Sequence, residues 1–209
     1  MRAFPVYLFD VDGTLLDSGA DIYETVREIL RGHPVNGLEP ARVQRYIGFH
    51  LIEMFRDLLP DYSEEQYQEL IRRYRELYPA RGHRLTRVYP GVRQALAALG
   101  GRKATATTKS SATVRAVLDQ FGLLRYIDHP QGTDGFAAKP APDVIFAALS
   151  GLGARPEDCL LVGDSAADME AGRRAGVRLC AVRYGYGNPR DLARFEPDFW
   201  IDDLRDLLE

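Results

Sequence analysis

Asp10 and Asp12 flank a single valine in the stretch VYLFDVDGTLLDS, Val6 to Ser18. The apolar residues before them read as a buried strand, which puts both carboxylates at its C-terminal tip. Asp-Gly after a strand is also a common turn former. Two carboxylates this close repel each other, and burial strips them of solvation. A cation relieves both costs, and an all-oxygen donor set suits Mg2+. One carboxylate can then act as a nucleophile. The other can exchange a proton with an attacking or leaving oxygen. Gly13 lets the backbone leave the strand tightly beside a ligand.

A second acidic site lies far along the chain in LLVGDSAADMEAG. Asp164 follows another apolar run, and Asp168 lies four residues later, about one helical turn away. The context resembles the first site, a carboxylate at a strand tip, and suggests a shared metal. Helix capping is the competing reading for Asp164. Asp168 is either a partner of the metal ligands or a first-turn acid that suits the helix dipole.

These groups need a scaffold that brings strand tips together. Val6–Phe9 predicts the first strand. Four helical stripes follow: Ile22, Val26, Ile29 and Leu30; Val43 and Ile47, capped by Gly48; Leu51, Phe55, Leu58 and Leu59, ended by Pro60; and Tyr67 to Tyr78, ended by Pro79. After Tyr89 the pattern alternates. Strands are expected at 103–108, Cys159–Val162, 177–182 and 199–201, with helices between them and a helical tail. That alternation predicts an α/β fold, a doubly wound parallel sheet with an all-helical unit inserted after the first strand. Open parallel sheets bind ligands at the carboxyl ends of their strands, where Asp10, Thr107 and Asp164 fall.

The formal charge of -3 argues against general nucleic-acid or anionic-membrane binding. No apolar run approaches the roughly 20 residues of a membrane helix, and a cytoplasmic location is expected. Cys159 and Cys180 each sit in an apolar run and read as buried free thiols. The four histidines show no ligand spacing, and Lys109 reads as a solvated charge.

Four motifs occur in order: FDVDGTL, TTKS, KPAPD and GDSAAD. Together they resemble the haloacid dehalogenase-like (HAD) hydrolase superfamily, in the style of its phosphoglycolate phosphatase-like members with a helical cap. The resemblance implies a Rossmann-like core of residues 1–15 and 89–209 and a cap of residues 16–88. It implies Asp10 as nucleophile, Asp12 as acid and base, and Mg2+ held by Asp10, the Asp12 carbonyl and Asp164. Thr107 would bind phosphate. Thr108 stands where the family often has Asn, so only its backbone N–H is implied there. Lys139 would offset phosphate charge and orient Asp10. Arg45, Phe49 and His50, around the Ile47-Gly48 element, would reach the rest of the substrate. The implied partner is a small phosphorylated metabolite. A sugar phosphomutase, a pyrophosphatase, a metal-free dehalogenase and a catalytically silent binding module stay open at this point, as does the oligomeric state.

Overall fold

The computed structural model describes residues 3–209, so the first two residues of the expected core lie outside it. The chain opens with β1 (Val6–Phe9) and β2 (Leu16–Asp17). Four helices follow: α1 (Gly19–Ile29), α2 (Pro40–Gln44), α3 (Leu51–Leu58) and α4 (Glu64–Ala80). The alternating part then runs β3 (Arg87–Val88), α5 (Val92–Ala98), β4 (Arg102–Thr105), α6 (Ser111–Gln120), α7 (Asp143–Leu152) and β5 (Cys159–Gly163). It ends with α8 (Ala166–Ala175), β6 (Arg178–Val182), α9 (Pro189–Leu192), β7 (Phe199–Ile201) and a 3-10 turn at Leu204–Leu208.

Five parallel strands form the central sheet in the order β4-β1-β5-β6-β7. Side chains alternate across it, as the pleat requires. Tyr7, Phe9, Leu160 and Val162 pack on one face against Val92 and Leu96 of α5 and Val114 and Leu118 of α6. Val6, Leu8, Cys159 and Leu161 pack on the other against Ile145 and Leu149 of α7 and Met169 of α8. Helices on both faces explain why these strands read as unbroken apolar runs. Both cysteines are free and buried, and burial pushes each thiol up to about 12. Strand order reverses at β1: β4 adds on one side, and β5 to β7 on the other. A crevice at such a reversal is the natural ligand site of an open sheet.

Helices α1 to α4 bury their own cluster, which includes Ile22, Val26, Phe55, Leu70, Ile71 and Tyr74. Their periodic stripes meet as the spacing predicts. A capping box at Ser63 and Gln66 starts α4. This helix does not stop before Pro79. It runs on to Ala80, because the Arg81 N–H still closes the last turn on the Leu77 carbonyl at 3.1 Å. Nor does Gly48 cap α2 directly, since the helix ends at Gln44 and a turn separates them. β4 is shorter than expected, and Ala106 to Lys109 form a loop off its tip.

The two chain crossings between sheet and helical unit run side by side, paired antiparallel as β2 and β3. Asp21 ties them from the start of α1. One of its carboxylate oxygens accepts from Leu85 N (2.9 Å) and from the Thr86 hydroxyl (2.7 Å). Tyr186, from the loop after β6, donates its hydroxyl to Asp17 (2.6 Å) and accepts from Gly19 N (2.6 Å). Among the described residues, no helix is long and apolar enough to cross a membrane.

Phe55 is wholly buried within the helical cluster. Phe55→Ala should lower the unfolding free energy by about 3–5 kcal/mol in urea titration, because it leaves a cavity that neighbours fill only in part. The exposed Leu85 is the control: Leu85→Ala should stay within about 0.5 kcal/mol of the parent.

Candidate active site

β1 and β5 lie in register, Phe9 opposite Val162, so the residues just past each strand meet. Asp10 N donates to the Val162 carbonyl at 2.9 Å, and Ala106 N donates to the Phe9 carbonyl at 2.9 Å. Three strand tips therefore deliver Asp10, Thr107 and Asp164 to one crevice, each about 1% exposed.

Lys139 reaches this crevice from the loop before α7, its side chain fully buried. Its ammonium donates to Asp10 Oδ1 (2.8 Å), Asp168 Oδ1 (2.5 Å) and the Ala106 carbonyl (2.9 Å). All three of its donors are used. Burial opposes the charged ammonium, but Asp10 and Asp168 outweigh it and hold the Lys139 pKa above the usual lysine range.

Asp168 is engaged on both oxygens at the start of α8. One oxygen takes the Lys139 ammonium, and the other accepts from Ser165 N (2.9 Å) and Ser165 Oγ (2.5 Å). Ser165 Oγ in return accepts from Asp168 N, which completes a capping box at the start of α8. Asp164 is oriented by Thr14 Oγ1 (3.1 Å) and Tyr186 N (2.8 Å). Gly13 sits against it at φ +89°, and a Cβ there would collide with the Asp164 carboxylate. Only glycine combines that conformation with that approach.

Ligand oxygens of Asp10, Asp164 and Asp168 all lie within 4.8 Å of one another. Three carboxylates face one ammonium. Burial, with Asp10 and Asp168 adding to it, pushes Asp164 well above the ordinary carboxylate range. Burial likewise pushes Asp10 up to about 7 against the pull of Lys139. Asp10 Oδ2 is buried with no hydrogen-bond partner. An orphaned oxygen in an under-compensated acidic cluster fits a hard divalent cation. Asp168 is tied to the Lys139 ammonium and twice to Ser165, whereas each Asp164 oxygen accepts a single neutral hydrogen bond and Asp10 Oδ2 accepts none, so Asp10 and Asp164 keep the more accessible lone pairs.

The Asp12 side chain turns away from this cluster. Ser18 Oγ donates to its Oδ1 at 2.5 Å, and the Lys109 ammonium meets its Oδ2 at 2.8 Å. Lys109 is thus no solvated charge. Its side chain is 9% exposed, and its ammonium donates to Tyr78 of α4 at 3.2 Å. Burial opposes its charge, yet Asp12 and Tyr74 raise its pKa. Sequence reasoning missed this residue because its partner on α4 lies 31 positions away. The one available signal was its place beside Thr107 and Thr108 at a strand tip.

A cavity of about 590 Å³ opens above Asp12, Thr108 and Lys109 and is roofed by α3, α4 and the turn before α3. Phe49, His50, Tyr74, Arg75 and Tyr78 line its far wall. Gly48, at φ +95°, brings that turn against Ser165, where a Cβ would collide with the serine side chain. His50 caps α3, with Nδ1 accepting from Ile52 N at 3.3 Å. Burial, then Arg75 and Arg56, lowers its pKa. Arg45 does not join Phe49 and His50: it follows the short α2 on the outer surface, exposed and off the cavity wall. Thr107 Oγ1 accepts from Lys109 N at 3.4 Å, and Thr108 lines the cavity floor.

Comparison with known proteins meets this geometry. The pattern of the haloacid dehalogenase-like hydrolase family matches residues 7–182. The chain is 37% identical to phosphoglycolate phosphatase 1 of Pseudomonas aeruginosa, over 96% of this chain and 77% of that one. It is 34% identical to phosphoglycolate phosphatase of Aquifex aeolicus, over 98% and 95%. A haloacid dehalogenase-like family protein of Streptococcus pneumoniae superposes with a TM-score of 0.90 at 26% identity, covering 100% of this chain and 98% of that one. With a family match over most of its length and this sheet beneath it, the chain belongs to the haloacid dehalogenase-like hydrolase family.

Proposed function

We propose that this hydrolase is a phosphatase that cleaves a small phosphomonoester, phosphoglycolate or a close analogue, through a phosphorylated Asp10. One observation carries the reading. Asp10 Oδ1 is held by Lys139 at 2.8 Å, while Oδ2 is buried without a partner at the floor of a crevice. A carboxylate oxygen fixed in this way is a ready nucleophile.

Asp10 Oδ2 attacks phosphorus as the ester P–O bond breaks. Asp12 gives its proton to the departing alkoxide. It then takes a proton from the water that hydrolyses the phosphorylated aspartate, which restores both residues. Thr107 and the Thr108 N–H bind phosphate oxygens, and Lys139 offsets their charge. Asp10, Asp164 and the Asp12 carbonyl would hold Mg2+, which when bound neutralises phosphate charge and fixes its orientation. The chemistry is mostly positioning and electrostatics, as expected for phosphoryl transfer.

Residues 16–88 act as the lid of this proposal, and residues 1–15 and 89–209 as its core. The lid excludes water during attack. Its cavity takes the remainder of the substrate, with Phe49 and His50 on the wall. Arg75 adds a guanidinium there that makes no ion pair among the described residues and suits a carboxylate. The relatives' names, phosphoglycolate phosphatase, point the same way. A cytoplasmic setting belongs to the same reading, in keeping with two free, buried thiols.

Purified protein with Mg2+ should release phosphate and glycolate from phosphoglycolate. Isomerised hexose phosphates without free phosphate would instead mark a mutase. Asp10→Asn should abolish turnover with circular dichroism unchanged, because the amide replaces the nucleophilic oxygen; a retained rate excludes the assignment. Lys139→Met should lower kcat by at least roughly 100-fold, as loss of a preorganised charge in a buried site does. It should also lower thermal stability, since Asp10 and Asp168 lose the one basic side chain that pairs with them among the described residues.

A further inference from the structure

Lys109 lies outside the machinery just described, yet it is bonded to it. Its ammonium meets Asp12 Oδ2 at 2.8 Å, donates to the Tyr78 hydroxyl at 3.2 Å and lies 4.3 Å from the centre of the Tyr78 ring. Its backbone is fixed from the other side. The Lys109 carbonyl accepts from Thr133 N at 2.7 Å, and Gly132 passes so close that a Cβ would strike that carbonyl. Ser110, the next residue, caps α6 through the Thr113 N–H at 3.2 Å. A lysine buried by chance would lie extended over apolar surface with its head in water. This one ends inside, between a carboxylate of the core and a tyrosine of the helical unit.

Asp12 has only two side-chain partners in the described structure, Ser18 and Lys109, one on each oxygen. Together they fix the plane of the carboxyl group. Ser18 acts from the chain crossing beside β2. Lys109 acts from the β4 tip and is itself braced by α4. We propose that Lys109 is a positioning residue for Asp12, and that Tyr78 makes this positioning depend on α4 being seated over the crevice. The inference rests on the phosphatase reading above. Lys109 stays protonated throughout. The proton that reaches the leaving oxygen comes from Asp12, and the electron pair of the broken P–O bond stays on that oxygen.

A residue that acts through Asp12 matters only where a proton must be delivered. Three esters separate this role from others. Phosphoglycolate and ethyl phosphate leave as alkoxides and need the proton, and only the first carries a carboxylate. p-Nitrophenyl phosphate leaves as a stable anion, and its first turnover can be followed by rapid mixing before hydrolysis of the phosphorylated enzyme matters. In Lys109→Met, kcat on both alkyl esters should fall roughly 10- to 100-fold, less than the roughly 100- to 10,000-fold that general acid catalysis contributes as a whole, because Asp12 itself remains. The first-turnover rate of p-nitrophenolate release should stay within about threefold, a spread too small to represent loss of acid catalysis.

Equal losses on all three esters would make Lys109 a phosphate ligand or a structural residue. Loss on phosphoglycolate alone would make it a carboxylate ligand, and no loss would make it idle. Each result overturns the proposal. Tyr78→Phe keeps the ring and removes the hydroxyl, so it should show the same alkyl-selective loss at smaller size. An unchanged Tyr78→Phe removes the link to α4, and the same ratio decides the matter if Lys109→Met does not fold. Failure of the phosphatase reading itself looks different: the parent protein would then release no p-nitrophenolate.

Discussion

Three buried carboxylates cluster around one buried ammonium that pairs with only two of them, and the rest of the site is arranged around that imbalance. Lys139 spends all three of its donors on Asp10, Asp168 and a backbone carbonyl. What remains is negative charge that low-dielectric surroundings make costly. A cluster like this persists only if the fold enforces it and a further cation relieves it. The enforcement is visible in the parallel register of β1 with β4 and β5, in the α8 capping box and in the absence of a side chain at Gly13. These features give the site its shape before any substrate arrives.

The second carboxylate of the opening motif belongs to a separate electrostatic pair. Asp10 points into the acidic cluster and Asp12 into the cavity, where Ser18 and Lys109 hold it. Residues two apart in an extended chain would share a face. The turn at Gly13, with the Gly13 N–H bonded to the Leu16 carbonyl at 2.8 Å, separates their surroundings. In the proposed mechanism this separation suits one carboxylate to attack and the other to proton transfer. The helical unit touches both surroundings: Tyr78 bonds Lys109, the partner of Asp12, and the Gly48 turn lies against Ser165, which bonds Asp168 of the acidic cluster.

Much of this was legible in the sequence, for identifiable reasons. Strands buried on both faces carry unbroken apolar runs, so the tips that deliver Asp10 and Asp164 could be located from hydrophobicity alone. The helical stripes of α1, α3 and α4 were periodic enough to predict their shared cluster. The places where reading failed depend on distant partners. A lysine after a weak strand looks solvated unless Tyr78 is known to cover it. Arg45 looked like a substrate contact because it adjoins Ile47-Gly48, but the short α2 turns it outward. Pro79 looked like a stop, yet a proline in the last turn removes only its own N–H bond, and the Arg81 N–H after it still bonds the Leu77 carbonyl. Local pattern shows which residues share a face, and it does not show which element arrives to cover them.

The balance of charge at Lys139 can be tested without turnover. Mg2+ titrated calorimetrically into metal-free protein should bind at a single site and raise the thermal midpoint. In Asp164→Asn, with its fold intact, that binding should be lost. Parent protein that takes up no ion, or a variant that binds as tightly as the parent, would contradict the account.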